Sequence, residues 1–323
     1  MISYIVRRLL VSLPLLLGIS FITFLFIQAA PGNYFDVLRL NPEISAQIIA
    51  QYEQRYHLNE PILTQYGYWL GHLLQGDLGY SFAFRAPVAV VIGSRVWNTL
   101  VLTVAAMLLT WLVAIPLGIY AAVHHGRWPD RLLSFLAFVG MSVPTFFLAL
   151  LLLAGASLVP GFPLGGMRSA QAESLSALGR AVDVGFHLLI PVVVISVGSW
   201  AGLQRLMRGN LLEVLRAQYI VTARAKGLSE RRVLYVHALR NAINPMITIF
   251  GYELSSLLSG AALTEIICSW PGLGSLMLTA VRQQDLFLVM GSMLMGGVLL
   301  LGGNLVSDVL LAWSDPRIRY GRG

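Results

Sequence analysis

Residues 97–123 read WNTLVLTVAAMLLTWLVAIPLGIYAAV, and no charged side chain interrupts this run. A helix of about 20 apolar residues is long enough to cross the hydrocarbon core of a bilayer. The composition of the whole chain agrees, because 57 % of its 323 residues are hydrophobic and 11 % are charged, against roughly 25 % charged in a soluble domain. With a mean hydropathy of +0.73, the chain is predicted to be an all-α, polytopic membrane protein.

Further apolar segments lie on both sides of this run. Together they predict six transmembrane helices, at residues 9–30, 97–123, 132–159, 185–203, 242–267 and 286–307. The fifth is the least regular, since Glu253 and Glu265 interrupt it. We expect residues 1–323 to form one transmembrane domain, whose largest non-spanning parts are a polar segment at 31–95 and a basic loop at 208–241.

The positions of lysine and arginine predict the orientation. With the N-terminus placed in the cytoplasm, the inner segments contain 15 of the 22 Lys and Arg residues and the outer segments contain 7. Cytoplasmic loops of membrane proteins carry such an excess, so both termini are predicted to be cytoplasmic. The net charge of +7 is then a signal of topology, and no nucleic-acid partner is expected.

Several functional classes are excluded by missing motifs. The chain contains one cysteine, Cys268, which excludes a disulfide framework and a cysteine-based zinc cluster. The sequence contains no GxxxxGK[ST] phosphate loop, no HExxH motif and no GxSxG motif, which are common signatures of nucleotide-binding and hydrolytic proteins. We therefore expect no catalytic residues, no metal site and no cofactor in this chain.

The outer segment, residues 31–95, is predicted to be helical rather than a disordered linker. Asn41 and Pro42 are typical of a helix start, because asparagine caps a first turn and proline fits its first position. Asn59 and Pro61 predict the start of a second amphipathic helix. Two interpretations remain open, a cap over the helix bundle and a docking surface for an external partner.

The basic loop reads RGNLLEVLRAQYIVTARAKGLSERRVLYVHALRN over residues 208–241. One helix is predicted over residues 211–226 and is closed by Gly227, because glycine adopts the left-handed cap conformation without steric cost. Ser229 as N-cap and Glu230 in the first turn predict a second helix that leads into the fifth span. The loop is thus expected to be a compact helix–turn–helix on the cytoplasmic face.

This loop also carries a resemblance to a known family. TARAKGL at 222–228 and HALRNA at 237–242 resemble the permease subunits of binding-protein-dependent ABC importers, in the dipeptide/oligopeptide/nickel branch. Similar segments in the same order are GDLG at 76–79, WPGLG at 270–274 and DPRIR at 315–319. One departure is Val221, which stands where the general motif of the wider family has a glutamate.

The resemblance implies a function and a set of partners. It implies the ABC importer permease fold in a bacterial inner membrane, where the chain moves dipeptides, oligopeptides, nickel or a related solute. The implied partners are a second permease subunit (identical or homologous), two cytoplasmic ATPase subunits and an outer binding protein. ATP and magnesium would bind the ATPase, so the chain itself is expected to be no enzyme. The alternative is a secondary transporter driven by an ion gradient, with Glu253 and Asp308 as coupling carboxylates.

Two groups of residues are candidates for function. The residues that resemble the ATPase-coupling loop of the family are Arg216, Thr222, Ala223, Arg224, Ala225, Lys226, Gly227, Leu228, His237 and Leu239. Ala223 and Gly227 are expected at the ATPase contact, because small side chains let one helix enter a groove. The candidates for the translocation path are Glu253, Ser256 and Ser259. A carboxylate near the middle of a membrane is costly, so Glu253 is expected either to face the path or to pair with an arginine or a hydroxyl.

Overall fold

The computed structural model describes residues 2–32, 34–39, 45–246, 249–250, 253 and 261–314. The α-helices are α1 (Ile2–Ala29), α2 (Tyr34–Arg39), α3 (Ala46–Arg55), α4 (Ile62–Leu74), α5 (Val88–Val123), α6 (Trp128–Ser142), α7 (Thr145–Ala156), α8 (Ala177–Leu215), α9 (Gln218–Ala225), α10 (Glu230–Arg232), α11 (Leu239–Ala242), α12 (Ala262–Ile267), α13 (Leu273–Arg282) and α14 (Leu286–Ser314). A 3-10 turn (Ala172–Ser174), a π-helix (Val233–Ala238) and the strands β1 (Tyr80–Ser81) and β2 (Ala86–Pro87) complete the described elements. The predicted all-α class is confirmed.

Within the described residues, four helices are long and apolar enough to cross a membrane, namely α1, α5, α8 and α14. The third predicted span, 132–159, is not one helix, because α6 and α7 meet at an angle of 100°. Pro144 causes the break: proline has no N–H, and it forces the preceding Val143 into extended backbone. The bent pair counts as a fifth span at most. Eleven of the 26 residues of the fifth predicted span, 242–267, lie outside the described residues, so six spans remain a prediction.

The contacts of the chain group into two compact units. The first consists of Met1–Thr99 and Pro271–Leu301, and the second of Leu100–Trp270 and Gly302–Gly323. Each contains its own buried apolar clusters.

The first unit contains most of the predicted outer segment, and that segment is folded. Phe82, from the hairpin loop, packs against a group of aromatic rings: Tyr34, Phe35, Tyr52, Tyr56, Tyr80 and Phe287. The helix start predicted at Asn41 and Pro42 lies outside the described residues. The observed helix α3 begins after Ser45, whose Oγ accepts a hydrogen bond from the Ile48 N–H at 3.4 Å. The helix predicted after Pro61 is observed as α4.

The hairpin of this unit is held by a buried carboxylate. β1 and β2 pair antiparallel, with Tyr80 opposite Pro87. Asp285 Oδ2 accepts hydrogen bonds from Ser81 Oγ at 2.7 Å and from the Ala83 N–H at 3.0 Å. Burial raises the pKa of the Asp285 carboxyl above its ordinary value, although these hydrogen bonds act in the opposite direction. The loop at 81–84 is therefore tied to the residue that precedes α14.

The second unit depends on a close approach of α5 and α8. A Cβ at Gly118 would lie 2.8 Å from the backbone oxygen of Gln204 and 2.8 Å from Met207 Cβ, so only glycine allows the two helices to meet there. Below this crossing α8 contributes buried side chains to an apolar cluster, which we call the loop core: Leu203, Met207, Leu211, Ile220, Ala223, Val233, Ala238, Ala242 and Met246, with Ala114 and Ala122 of α5. The loop core fixes the position of the basic loop.

Candidate functional site

The basic loop begins as a continuation of α8, which does not end until Leu215. Ala217 is extended, with φ −68° and ψ 147°, and α9 begins at Gln218. The single helix predicted over 211–226 is therefore wrong. The physical reason is burial. The change of direction at Ala217 lets Ile220 and Ala223 reach the loop core, and removing their apolar side chains from water stabilises the folded state.

The predicted cap at Gly227 is confirmed. Gly227 has a φ of +77°, its N–H donates to the Arg224 oxygen at 2.9 Å, and the Leu228 N–H donates to the Ala223 oxygen at 3.4 Å. An added Cβ would meet nothing within 4 Å. Glycine is thus required for backbone conformation and not for space within this chain.

The second predicted helix is present but differs in two details. Ser229 is extended and α10 begins at Glu230, yet the Ser229 side chain makes no capping hydrogen bond. The helix then widens into the π-helix Val233–Ala238 before α11 continues it. Both ends of the π-helix are buried in the loop core, and π-helical segments occur frequently at functional sites.

The predicted coupling residues divide by exposure. The exposed ones are Arg216, Thr222, Arg224, Ala225, Lys226 and Gly227, and the half-buried ones are Leu228, His237 and Leu239. Ala223 is 8 % exposed and packs in the loop core. Its small side chain lets α9 lie close to this chain's own core, and its part in an ATPase contact stays a prediction.

The charges of the loop are partly compensated within the chain. Arg224 makes two hydrogen bonds to Glu230, from Nε to Oε1 at 2.8 Å and from Nη2 to Oε2 at 3.1 Å. In the part of the chain that the structure describes, Arg216 and Lys226 make no such ion pair. Arg216 and Lys226, at the two ends of α9, are thus available to an acidic partner.

Sequence reasoning missed an apolar surface on the loop. Tyr219 and Val221 of α9 and Tyr235 and Val236 of the π-helix are large, apolar and exposed, Val221 to 51 %. We call these four side chains the apolar loop surface. One signal in the sequence could have predicted the exposure of Tyr219 and Val221. They lie beside Ile220 and Ala223, which form the buried face of α9. Large apolar side chains that are exposed on this loop are available to a partner, and one of them, Val221, stands where the general motif has a glutamate.

Of the path candidates, only Glu253 is among the described residues, and Ser256 and Ser259 lie outside them. The Trp111 Nε1–H donates to Glu253 Oε2 at 2.8 Å. Trp111 also packs edge-on against Phe250, with ring centroids 5.2 Å apart. Among the described residues, the partner of Glu253 is therefore an indole N–H and not the expected arginine or hydroxyl.

Glu253→Gln separates the two roles of this side chain. Glutamine keeps an oxygen that accepts the Trp111 N–H but removes the charge, so assembly should survive and the uptake rate should fall about tenfold if the charge meets the substrate. The measurement is the initial uptake rate, with Trp111→Phe as the control that removes the N–H donor and keeps an aromatic ring beside Phe250. An unchanged rate in Glu253→Gln would show that the carboxylate only anchors Trp111.

A polar cluster precedes the loop, at the end of α8 that leads into it. Asp130 accepts from Arg208 twice, from Nε at 2.6 Å and from Nη2 at 2.9 Å, and from the Gly126 N–H at 2.9 Å. His125 Nδ1 lies 3.3 Å from the same carboxylate. The cluster ties the turn between α5 and α6 to α8, and no local sequence pattern pointed to it.

Comparison with known proteins covers nearly the whole chain. Residues 114–320 match the family model described as binding-protein-dependent transport system inner membrane component. The chain belongs to this family. Residues 1–103 match the model of the N-terminal region of the same transport system membrane components. The resemblance drawn from TARAKGL and HALRNA is confirmed, and the loop lies within the matched range.

Full-length relatives of this transport component come from several bacteria. The chain is 40 % identical over 322 residues to the oligopeptide transport system permease protein AppB of Bacillus subtilis, covering 99 % of this chain and 100 % of that protein. It is 37 % identical over 320 residues to the glutathione transport system permease protein GsiC of Salmonella typhimurium, with coverage of 99 % and 100 %. It is 35 % identical over 341 residues to the dipeptide transport system permease protein DppB of Escherichia coli, with coverage of 99 % and 99 %.

Solved structures support the fold. An inward-facing structure of the MetNI methionine ABC transporter contains a chain that matches this transport component with a TM-score of 0.51 at 17 % identity. The match covers 68 % of this chain and 96 % of that one. The predicted ABC importer permease fold is thereby confirmed.

Proposed function

We propose that this chain is a permease subunit of an ATP-driven importer and moves peptides across the bacterial inner membrane, with both termini in the cytoplasm. The observation that carries the proposal is the basic loop, which exposes four large apolar side chains and packs others in the loop core. The peptide class is supported by the relatives, whose names specify oligopeptide, glutathione and dipeptide transport. Each of these solutes contains amide-linked amino acids.

The proposal includes a second permease subunit, two cytoplasmic ATPase subunits that hold ATP and magnesium, and an outer binding protein. In this scheme an ATPase contacts the apolar loop surface and moves α9. Because Ile220 and Ala223 are packed against Met207 and Leu211 of α8, and tightly packed side chains transmit displacement, the movement reaches α8 and, through Gly118, α5.

The outer segment is proposed as the docking surface for the binding protein. It presents the exposed Tyr52 and Gln54 of α3, while Glu53 between them is buried and paired with Arg39. The folded aromatic cluster beneath α3 makes this surface rigid, which lowers the entropic cost of binding a partner.

The experiment is uptake into proteoliposomes that contain this chain with its partner permease and ATPases. The labelled solutes are a dipeptide, a pentapeptide, glutathione and Ni²⁺, each presented with the binding protein. Uptake of at least one peptide is expected, and it should require internal ATP and stop without the binding protein. The matched control is the same complex with an ATPase subunit that lacks its phosphate-loop lysine.

Two outcomes would contradict the proposal. Uptake driven by a proton or sodium gradient without ATP would favour the secondary transporter. Uptake of Ni²⁺ and of no peptide would retain the permease role and reject the peptide class.

A further inference from the structure

A groove lies between α6 and α8, at the ends predicted to face the cytoplasm. It encloses about 500 Å³ and is lined by Ser134, Phe138, Gly202, Arg205, Leu206 and Arg208. All six residues belong to the second unit. The groove is separate from the apolar loop surface and has no part in the coupling scheme above.

Arg205 supplies the groove with a charge that the chain does not compensate. Its guanidinium carbon lies 4.7 Å from the centroid of the Phe138 ring, and its Nη1 lies 3.4 Å from Met141 Sδ. No carboxylate of the described ranges pairs with it. Arg208, by contrast, is neutralised by Asp130. Stacking on Phe138 fixes the plane of the Arg205 guanidinium and leaves its hydrogen-bond donors available.

The surroundings of the groove are those of a membrane interface. Phe135, Phe138 and Met141 of α6 are exposed and apolar, as a lipid-facing helix requires. Trp128, the first residue of α6, is 73 % exposed, and tryptophan is enriched where hydrocarbon meets headgroups. Arg205 therefore lies at the border between an apolar face and the side of the chain that carries the basic loops.

We propose that the groove binds the headgroup phosphate of an anionic phospholipid. Arg205 offers the planar pair of donors that matches phosphate oxygens, and the Ser134 hydroxyl can donate a further hydrogen bond. The acyl chains then lie along Phe138 and Leu206. An anionic lipid is favoured over a zwitterionic lipid, because a zwitterionic headgroup would bring its own cation next to the Arg205 guanidinium. Basic pockets between transmembrane helices also select anionic headgroups.

The test is native mass spectrometry of the full-length chain in detergent, titrated with phosphatidylglycerol or phosphatidylcholine. The wild type is expected to bind phosphatidylglycerol about tenfold more tightly, and Arg205→Gln should lose this preference. Gly202→Leu should also weaken binding, because an added Cβ there meets nothing within 4 Å and the larger side chain fills the groove. Arg131→Gln, an exposed arginine on α6 outside the groove, is the matched control and should bind as the wild type does.

Three results would overturn the proposal. The first is wild-type affinity for phosphatidylglycerol in both Arg205→Gln and Gly202→Leu. The second is displacement of phosphatidylglycerol by an equal concentration of inorganic phosphate, since the site would then take a soluble anion. The third is a disulfide between two copies of Ser134→Cys in the assembled transporter, which would show that a second permease and not lipid covers the groove.

Discussion

Replacing Gly227 by leucine is expected to abolish transport while leaving the protein inserted in the membrane. At the φ of +77° a side chain costs roughly 1 kcal/mol or more, and relief of this strain would rotate α9 relative to the helix that follows. Because the new Cβ meets nothing in the chain itself, the folded core should tolerate it. The measurements are co-purification of the ATPase with the permease and the ratio of ATP hydrolysed to peptide imported.

Two further variants show the source of the effect. Gly227→Asn keeps a residue that tolerates left-handed backbone, so it should recover most of the transport if strain is the cause, and little if bulk blocks the partner. Gly76→Leu introduces the same kind of strain in the outer segment, where φ is +83° and an added Cβ also meets nothing. It should leave ATPase binding intact. Normal transport by Gly227→Leu would remove the loop from the coupling scheme.

The sequence predicted the parts of the fold that depend on local chemistry. The uncharged run at 97–123 appears within α5, and the run at 286–307 appears within α14. Gly227 was predicted as a left-handed cap because glycine alone adopts that backbone without cost. In each case the residue type and its near neighbours determine the conformation, so no tertiary information was needed.

The parts that failed depend on tertiary packing. Residues 211–226 contain no glycine and no proline, and nothing local predicts the extended Ala217 that divides them. The break exists because Ile220 and Ala223 are buried against α8 and the π-helix. For the same reason no local pattern predicts that the small side chain of Ala223 packs on this chain's own core.

The Asp130 cluster was missed for a different reason. Asp130 and Arg208 lie on different helices, 78 positions apart in the sequence, and an aspartate in a first helical turn is common enough to attract no attention. Only the folded chain shows that the Asp130 side chain is 5 % exposed and meets the arginine with both oxygens.

Asp130→Ala is expected to be the most destabilising single change in the second unit. It leaves the half-buried Arg208 guanidinium without its carboxylate and the Gly126 N–H without its acceptor. Removing one partner of a buried ion pair costs about 3 kcal/mol or more, and for a chain of this size that lowers the unfolding temperature by about 5 °C. The measurement is thermal unfolding of the purified protein in detergent.

A double-mutant cycle attributes this loss to the pair. Arg208→Gln and Asp130→Asn are each expected to destabilise the protein, but the double variant should be less destabilised than the sum of the two, because no buried charge is left alone. Arg224→Gln is the control, since its partner Glu230 is exposed and surface ion pairs contribute about 1 kcal/mol or less. Strictly additive effects of Asp130→Asn and Arg208→Gln would mean that the two side chains stabilise α8 independently. In that case the Asp130–Arg208 pair would not be the link by which the turn between α5 and α6 positions the end of α8.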